Sequence, residues 1–172
     1  MNAQPRVWIV DDDASIRWVL DKALSDAGWR TTVFDNASDV LRQVQSENPD
    51  VIITDIRMPG TDGLELLQYL SERTPSLPVI VMTAHTDLEN ALSAYQAGAF
   101  EYLPKPFDLN EAVSLLNRAL EKHSQTPPAP PLQAGMTEAS IIGEAKAMQA
   151  VFRVIGRLSK STINVLICGE TG

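Results

Sequence analysis

Cysteine is almost absent from this chain. Cys168 is the single one among 172 residues, so no internal disulfide can form. That suits a reducing, cytoplasmic setting. Histidine is nearly as scarce, with only His85 and His123, which removes the imidazole–thiolate clusters that hold zinc. Basic residues are outnumbered, 14 against 22 acidic ones, and nowhere do they form a block. With a net charge of −8, the chain by itself is poorly suited to DNA or an anionic membrane. Long apolar runs are missing too, since none approaches the roughly 18–20 residues of a membrane helix. The apolar stretch Val7-Trp8-Ile9-Val10 runs straight into three aspartates and is too short for a signal core. What remains is the composition of a globular protein, 44% hydrophobic and 21% charged, large enough to bury a core without staples.

Short β-branched apolar runs recur along the chain: residues 7–10, 31–34, 51–54, 79–82 and Tyr102-Leu103. Runs of this length suit strands buried on both faces of a parallel sheet. Between them lie stripes with helical spacing. They are Ile16, Val19, Leu20, Ala23 and Leu24; Val40, Leu41 and Val44; Leu64, Leu67 and Leu70; Leu88, Ala91, Leu92 and Tyr95; and Val113, Leu116 and Leu120. Helix starts are marked by Asp62 with Glu65, Thr86 with Glu89 and Asp108 with Glu111, and helix ends by Gly28 and Gly98. Strand–helix alternation repeated five times predicts an α/β fold, a doubly wound five-stranded parallel sheet with right-handed crossovers.

The pattern breaks after Lys122. Residues 124–137 carry prolines at 127, 128, 130 and 131 and read as a linker. A new pattern follows over residues 138–172. Met148, Val151, Phe152, Ile155 and Leu158 predict a helix face, and residues 163–168 a buried strand running into Gly169-Glu170-Thr171-Gly172. The expected organisation is therefore one domain over 1–123, a linker over 124–137, and the truncated start of a second domain over 138–172.

The polar residues fall at strand ends. Asp11, Asp12 and Asp13 follow the first strand, Asp55 the third, Thr83 the fourth and Lys105 the fifth. Ligands of open parallel sheets bind at these ends, near the point where strand order reverses. If strands one and three are neighbours, several carboxylates meet in one crevice and need a shared cation. Lys105 supplies one positive charge. Oxygen-only ligands favour Mg²⁺ for the rest. Asp13 is best placed to cap the first helix.

The motifs Val10-Asp11-Asp12, residues 55–63 (Asp-Ile-Arg-Met-Pro-Gly-Thr-Asp-Gly), Met82-Thr83-Ala84 and Leu103-Pro104-Lys105-Pro106-Phe107 occur in this order. Together they resemble the response-regulator receiver family, over roughly residues 6–122. The finer detail of residues 11–20, 55–60 and 98–108 is similar to sigma-54-dependent activators of nitrogen assimilation. The resemblance implies a flavodoxin-like receiver in which Asp55 is phosphorylated. It implies a Mg²⁺ site formed by Asp11, Asp12, Asp55 and the Arg57 main-chain carbonyl. Thr83 would be the switch hydroxyl, Tyr102 the switch aromatic, and Lys105 the phosphate-pairing lysine, joined to Pro106 by a cis bond. A histidine kinase would be the phosphoryl source. Sigma-54 RNA polymerase and DNA would be met through domains beyond this chain, and the arrangement leaves room for a dimer.

Residues 141–172 are similar to the start of an AAA+ domain, with Gly169, Glu170, Thr171 and Gly172 as the first half of a P-loop. The lysine and hydroxyl that complete such a loop do not follow, so ATP is expected only in a full-length parent. The chain is thus read as a phospho-accepting regulator and not an enzyme. An alternative is a Mg²⁺-dependent phosphatase of the haloacid-dehalogenase type, which would use Asp11-x-Asp13 with Asp11 as nucleophile. A third is a nucleotide-binding module around Gly169, whose loop is unfinished.

Overall fold

The computed structural model describes residues 4–84 and 93–125. His85, the expected helix start at Thr86, residues 126–137 of the linker, and the expected second domain over 138–172 with Gly169, Glu170, Thr171 and Gly172 lie outside the described residues. Five parallel strands form one sheet: β1 (Arg6–Val10), β2 (Arg30–Phe34), β3 (Val51–Asp55), β4 (Val79–Ala84) and β5 (Glu101–Lys105). The helices are α1 (Ala14–Asp26), α2 (Ala37–Gln43), α3 (Gly63–Arg73), the described end of α4 (residues 93–96) and α5 (Leu109–Gln125). α5 runs on to Gln125, into the first two residues of the stretch read as linker.

The strand order is β2-β1-β3-β4-β5. The chain steps outward from β1 to β2, then crosses back to place β3 on the other side of β1. Helices cover both faces, and the pleat sorts the strand residues between them. Val7, Ile9, Ile53, Ile80, Met82 and Leu103 pack toward Leu20, Leu24, Leu115 and Leu116 of α1 and α5. Trp8, Val10, Ile52, Val79 and Val81 pack toward Val40, Leu66, Leu67 and Leu70 of α2 and α3.

Two features depart from the sequence pattern. β2 is an edge strand with Val33 46% exposed, so the expectation that every strand is covered on both faces fails there. It lies at the sheet margin, where α1 and α2 cover it only in part. In addition, β3, β4 and β5 extend one or two residues further than their apolar runs, so Asp55 and Lys105 are last residues of strands rather than followers. Pro104 sits inside β5, the other edge, where an amide is not needed on the outer side.

Candidate functional site

The register fixes where the acids stand. Val10 pairs with Thr54, so Asp11 and Asp55 emerge side by side where β1 meets β3. This is the point of order reversal, from which the β1 and β3 chains lead to helices on opposite faces, leaving a crevice. Lys105 arrives from the far edge, with Ala84 of β4 as its register partner.

The local sequence holds the loops in place. The Asp11 amide donates to the Phe34 carbonyl at 3.1 Å. Asp13 is the N-cap of α1, its carboxylate accepting from the Ser15 amide at 2.7 Å and the Ile16 amide at 3.4 Å. Those bonds hold its pKa below the ordinary aspartate value. After β3 the chain turns at Gly60, φ +89°, and re-enters at Gly63, whose amide donates to the Ile56 carbonyl at 2.8 Å. A Cβ at Gly63 would lie 2.0 Å from the Asp55 carbonyl oxygen, so only glycine permits α3 to start against the end of β3. Asp62 caps α3 through the Leu64 amide at 2.8 Å.

At the centre, the Lys105 ammonium donates to Asp11 Oδ2 and Asp55 Oδ2, each at 2.7 Å. Asp11 is fully buried, and its Oδ1 accepts from the Asp13 amide at 2.8 Å. Burial pushes its carboxyl above the ordinary aspartate range, against the pull of Lys105 and the Asp13 amide. Burial also works against the Lys105 charge, yet the bonds to Asp11 and Asp55 outweigh it and raise the lysine pKa. Asp12 is exposed, and ligand oxygens of Asp11, Asp12 and Asp55 all lie within 4.8 Å of one another. One ammonium among three carboxylates leaves a negative, oxygen-only donor set, which fits a hard divalent cation such as Mg²⁺.

Asp11, Asp12, Asp55 and Lys105 therefore converge as the sequence suggests. Arg57 lies in the adjoining loop, its amide 3.4 Å from Asp55 Oδ1. Thr83 is buried near the end of β4, paired in register with Pro104 beside Lys105. Tyr102 is buried on β5, with its ring edge-on to Tyr95 at 5.8 Å between centroids. The Lys105–Pro106 bond is cis. Asp13 acts as a helix cap, which occupies the second acid of the phosphatase-like motif.

The receiver domain family model matches residues 7–117. The chain belongs to the response-regulator receiver family. It is 57% identical to the DNA-binding transcriptional regulator NtrC of Escherichia coli K12 over 166 residues, and 44% identical to that of Azospirillum brasilense over 169. Those matches cover 96% of this chain but 35% of each relative, so the chain spans about a third of their length. Among solved structures, the apo receiver domain of nitrogen regulatory protein C is 57% identical with a TM-score of 0.65, covering 70% of this chain and 98% of that one. NtrX from Brucella abortus in complex with ADP is 31% identical with a TM-score of 0.68, covering 71% of this chain and 28% of that one.

Two groups without a role in the sequence pattern stand out, one at the far end of β5 and one beside the site. Glu101, buried on β5, accepts from the Tyr95 hydroxyl and pairs with Arg118 at 3.7 Å. A lone acid at the start of an apolar strand run was the available signal. Arg17 of α1 is the second, and its signal was a cation in the first turn of a helix, where the macrodipole disfavours one.

Proposed function

We propose that Asp55 is the phospho-acceptor of this receiver and that Asp11, Asp12, Asp55 and the Arg57 main-chain carbonyl hold Mg²⁺ beside it. The observation that carries this reading is the Lys105 ammonium bridging Asp11 and Asp55, with the Asp12 carboxylate alongside. A carboxylate oxygen of Asp55 attacks the phosphorus of a phosphohistidine on a kinase. The new bond is an acyl phosphate, the phosphorus–nitrogen bond breaks, and the leaving imidazole keeps the nitrogen electron pair and takes a proton from water. Such a transfer asks for alignment and charge neutralisation more than for acid–base work. Mg²⁺ supplies part of that neutralisation when bound. Lys105, already held between two carboxylates, supplies the rest by turning its ammonium toward the phosphoryl group.

The phosphoryl group adds about −1.5 to −2 charge at one strand end. Thr83, at the end of the next strand, is positioned to turn its hydroxyl toward that charge, and Tyr102 to move into the space it leaves. The output is control of a sigma-54-dependent activator of nitrogen-regulated transcription in the cytoplasm. Its ATPase and DNA-binding parts lie outside the receiver, and residues 124–137 and 138–172 are its linker and the beginning of its AAA+ domain. The similarity to NtrC relatives supports this assignment.

The test uses beryllofluoride, since a receiver 58% identical to this chain is described in a BeF₃-activated form. With Mg²⁺, beryllofluoride should shift the amide resonances of Asp55 and Thr83, and acetyl phosphate should add one phosphoryl group by intact mass. Asp55→Asn should abolish both. Full uptake in that variant would make another residue the acceptor.

A further inference from the structure

Three acidic residues in a row, Asp11-Asp12-Asp13, leave β1 in one short loop. Their mutual repulsion favours splaying the loop, which would point the first two carboxylates apart. Asp13 is committed to capping α1. Asp11 is anchored on one side by its amide to Phe34 and by its carboxylate to Lys105. The Asp13 amide, donating to Asp11 Oδ1 at 2.8 Å, ties the Asp12–Asp13 peptide, but nothing in that set holds the carbonyls of Asp11 and Asp12.

Arg17 does. It is the fourth residue of α1, and one guanidinium nitrogen, Nη1, donates to the carbonyl of Asp11 at 2.6 Å and to the carbonyl of Asp12 at 2.9 Å. Its own amide makes the first helical bond, to the Asp13 carbonyl at 3.1 Å. Three consecutive carbonyls of the loop are thus held by one residue. A cation there opposes the helix macrodipole, and α1 carries no acid in its first turn to offset it. The two carbonyls account for its presence. A guanidinium nitrogen has two hydrogens in a fixed plane, which suits two neighbouring carbonyls better than the rotating ammonium of lysine.

We propose that Arg17 is a positioning residue for the cation site: by clipping the Asp11 and Asp12 carbonyls, it sets the two carboxylates on one side of the loop before any cation arrives. The inference rests on the reading that this cluster holds Mg²⁺. It makes a prediction opposite in sign to simple charge. Removing a nearby cation should strengthen Mg²⁺ binding by Coulomb attraction, whereas removing a clip should weaken it, because gathering the carboxylates then falls to the binding step.

The experiment is calorimetric titration of Mg²⁺ into the protein and its Arg17→Ala, Arg17→Lys and Asp11→Asn variants, with urea unfolding of each in the absence of Mg²⁺. The expected result is a Kd at least about tenfold higher in Arg17→Ala, the factor one lost charge-assisted hydrogen bond carries, with part of the loss recovered in Arg17→Lys. An unchanged or lower Kd in Arg17→Ala, while Asp11→Asn loses binding, overturns the inference and leaves the metal reading standing. If Asp11→Asn binds Mg²⁺ as the parent does, the metal reading itself fails. Should Arg17→Ala not fold, Arg17→Lys decides: a Kd at least about threefold higher supports the clip, and a Kd equal to the parent's overturns it.

Discussion

At the scale of single residues, the site depends on a few contacts with no slack. Gly63 is one. A methyl group there would have to occupy space 2.0 Å from the Asp55 carbonyl, so α3 or the end of β3 must move. Gly63→Ala is expected to cost about 1–3 kcal/mol of stability by overpacking, read as a lower urea midpoint. It should also lower acetyl phosphate uptake more than an equally destabilising change on β2. Lys105 is another. It bridges two carboxylates that would otherwise repel. Lys105→Ala should therefore bind Mg²⁺ at least as tightly as the parent, because the cation no longer competes with an ammonium. Phosphorylation should no longer move the Tyr102 resonances in that variant. Parent-like Tyr102 shifts on phosphorylation would count against the role given to Lys105.

At the scale of elements, short helices are held by their ends. α2 has only seven residues, below the length at which propensity alone sustains a helix. Its N-cap Asn36 accepts from the Asp39 amide at 2.9 Å and donates to the Asp39 carboxylate at 2.9 Å. The Asn36 bond, with that of Arg42, holds the Asp39 pKa below its ordinary value of 3.8. A carboxyl lowered on folding contributes stability that is present above its unfolded pKa and lost as pH falls through the folded one. Asp39→Asn should thus lower the melting temperature at neutral pH, and the difference from the parent should shrink as pH falls below 3.8 and vanish below the lowered folded pKa. A difference that persists there would mean the loss is not electrostatic. On the opposite edge, Glu101 joins α4, β5 and α5 through Tyr95 and Arg118. Tyr95→Phe leaves that buried carboxylate short of a donor, at about 1–3 kcal/mol. Denaturant unfolding at constant m-value measures it.

At the scale of the whole molecule, one arrangement links the two cores to one charged crevice. Residues alternate between the α1/α5 side and the α2/α3 side along β1, β3 and β4, so the sheet is braced from both faces and its ends can carry a cluster of acids. The apolar burial outweighs the cost of placing Asp11 where water does not reach. Because Asp55 sits at a strand end, a charge added there would be met first by Lys105, whose ammonium already bonds to it at 2.7 Å.

Much of this was legible in the amino-acid order. Strand and helix types follow from the period of apolar residues. Asp11, Asp55, Thr83 and Lys105 each stand at the end of an apolar run, and the Asp13 and Asp62 caps follow from local chemistry that needs no partner far away. Their meeting is another matter. Residues 11, 55 and 105 are brought together by strand order and register, and neither is a local property. The same alternation with β3 on the other side of β2 would have separated Asp11 from Asp55. The exposure of β2, the reach of Arg17 back to the carbonyls behind it, the Gly63 contact and the Glu101 pairing depend on which surfaces pack together. Side-chain period selects the elements, and packing selects which of their ends become neighbours.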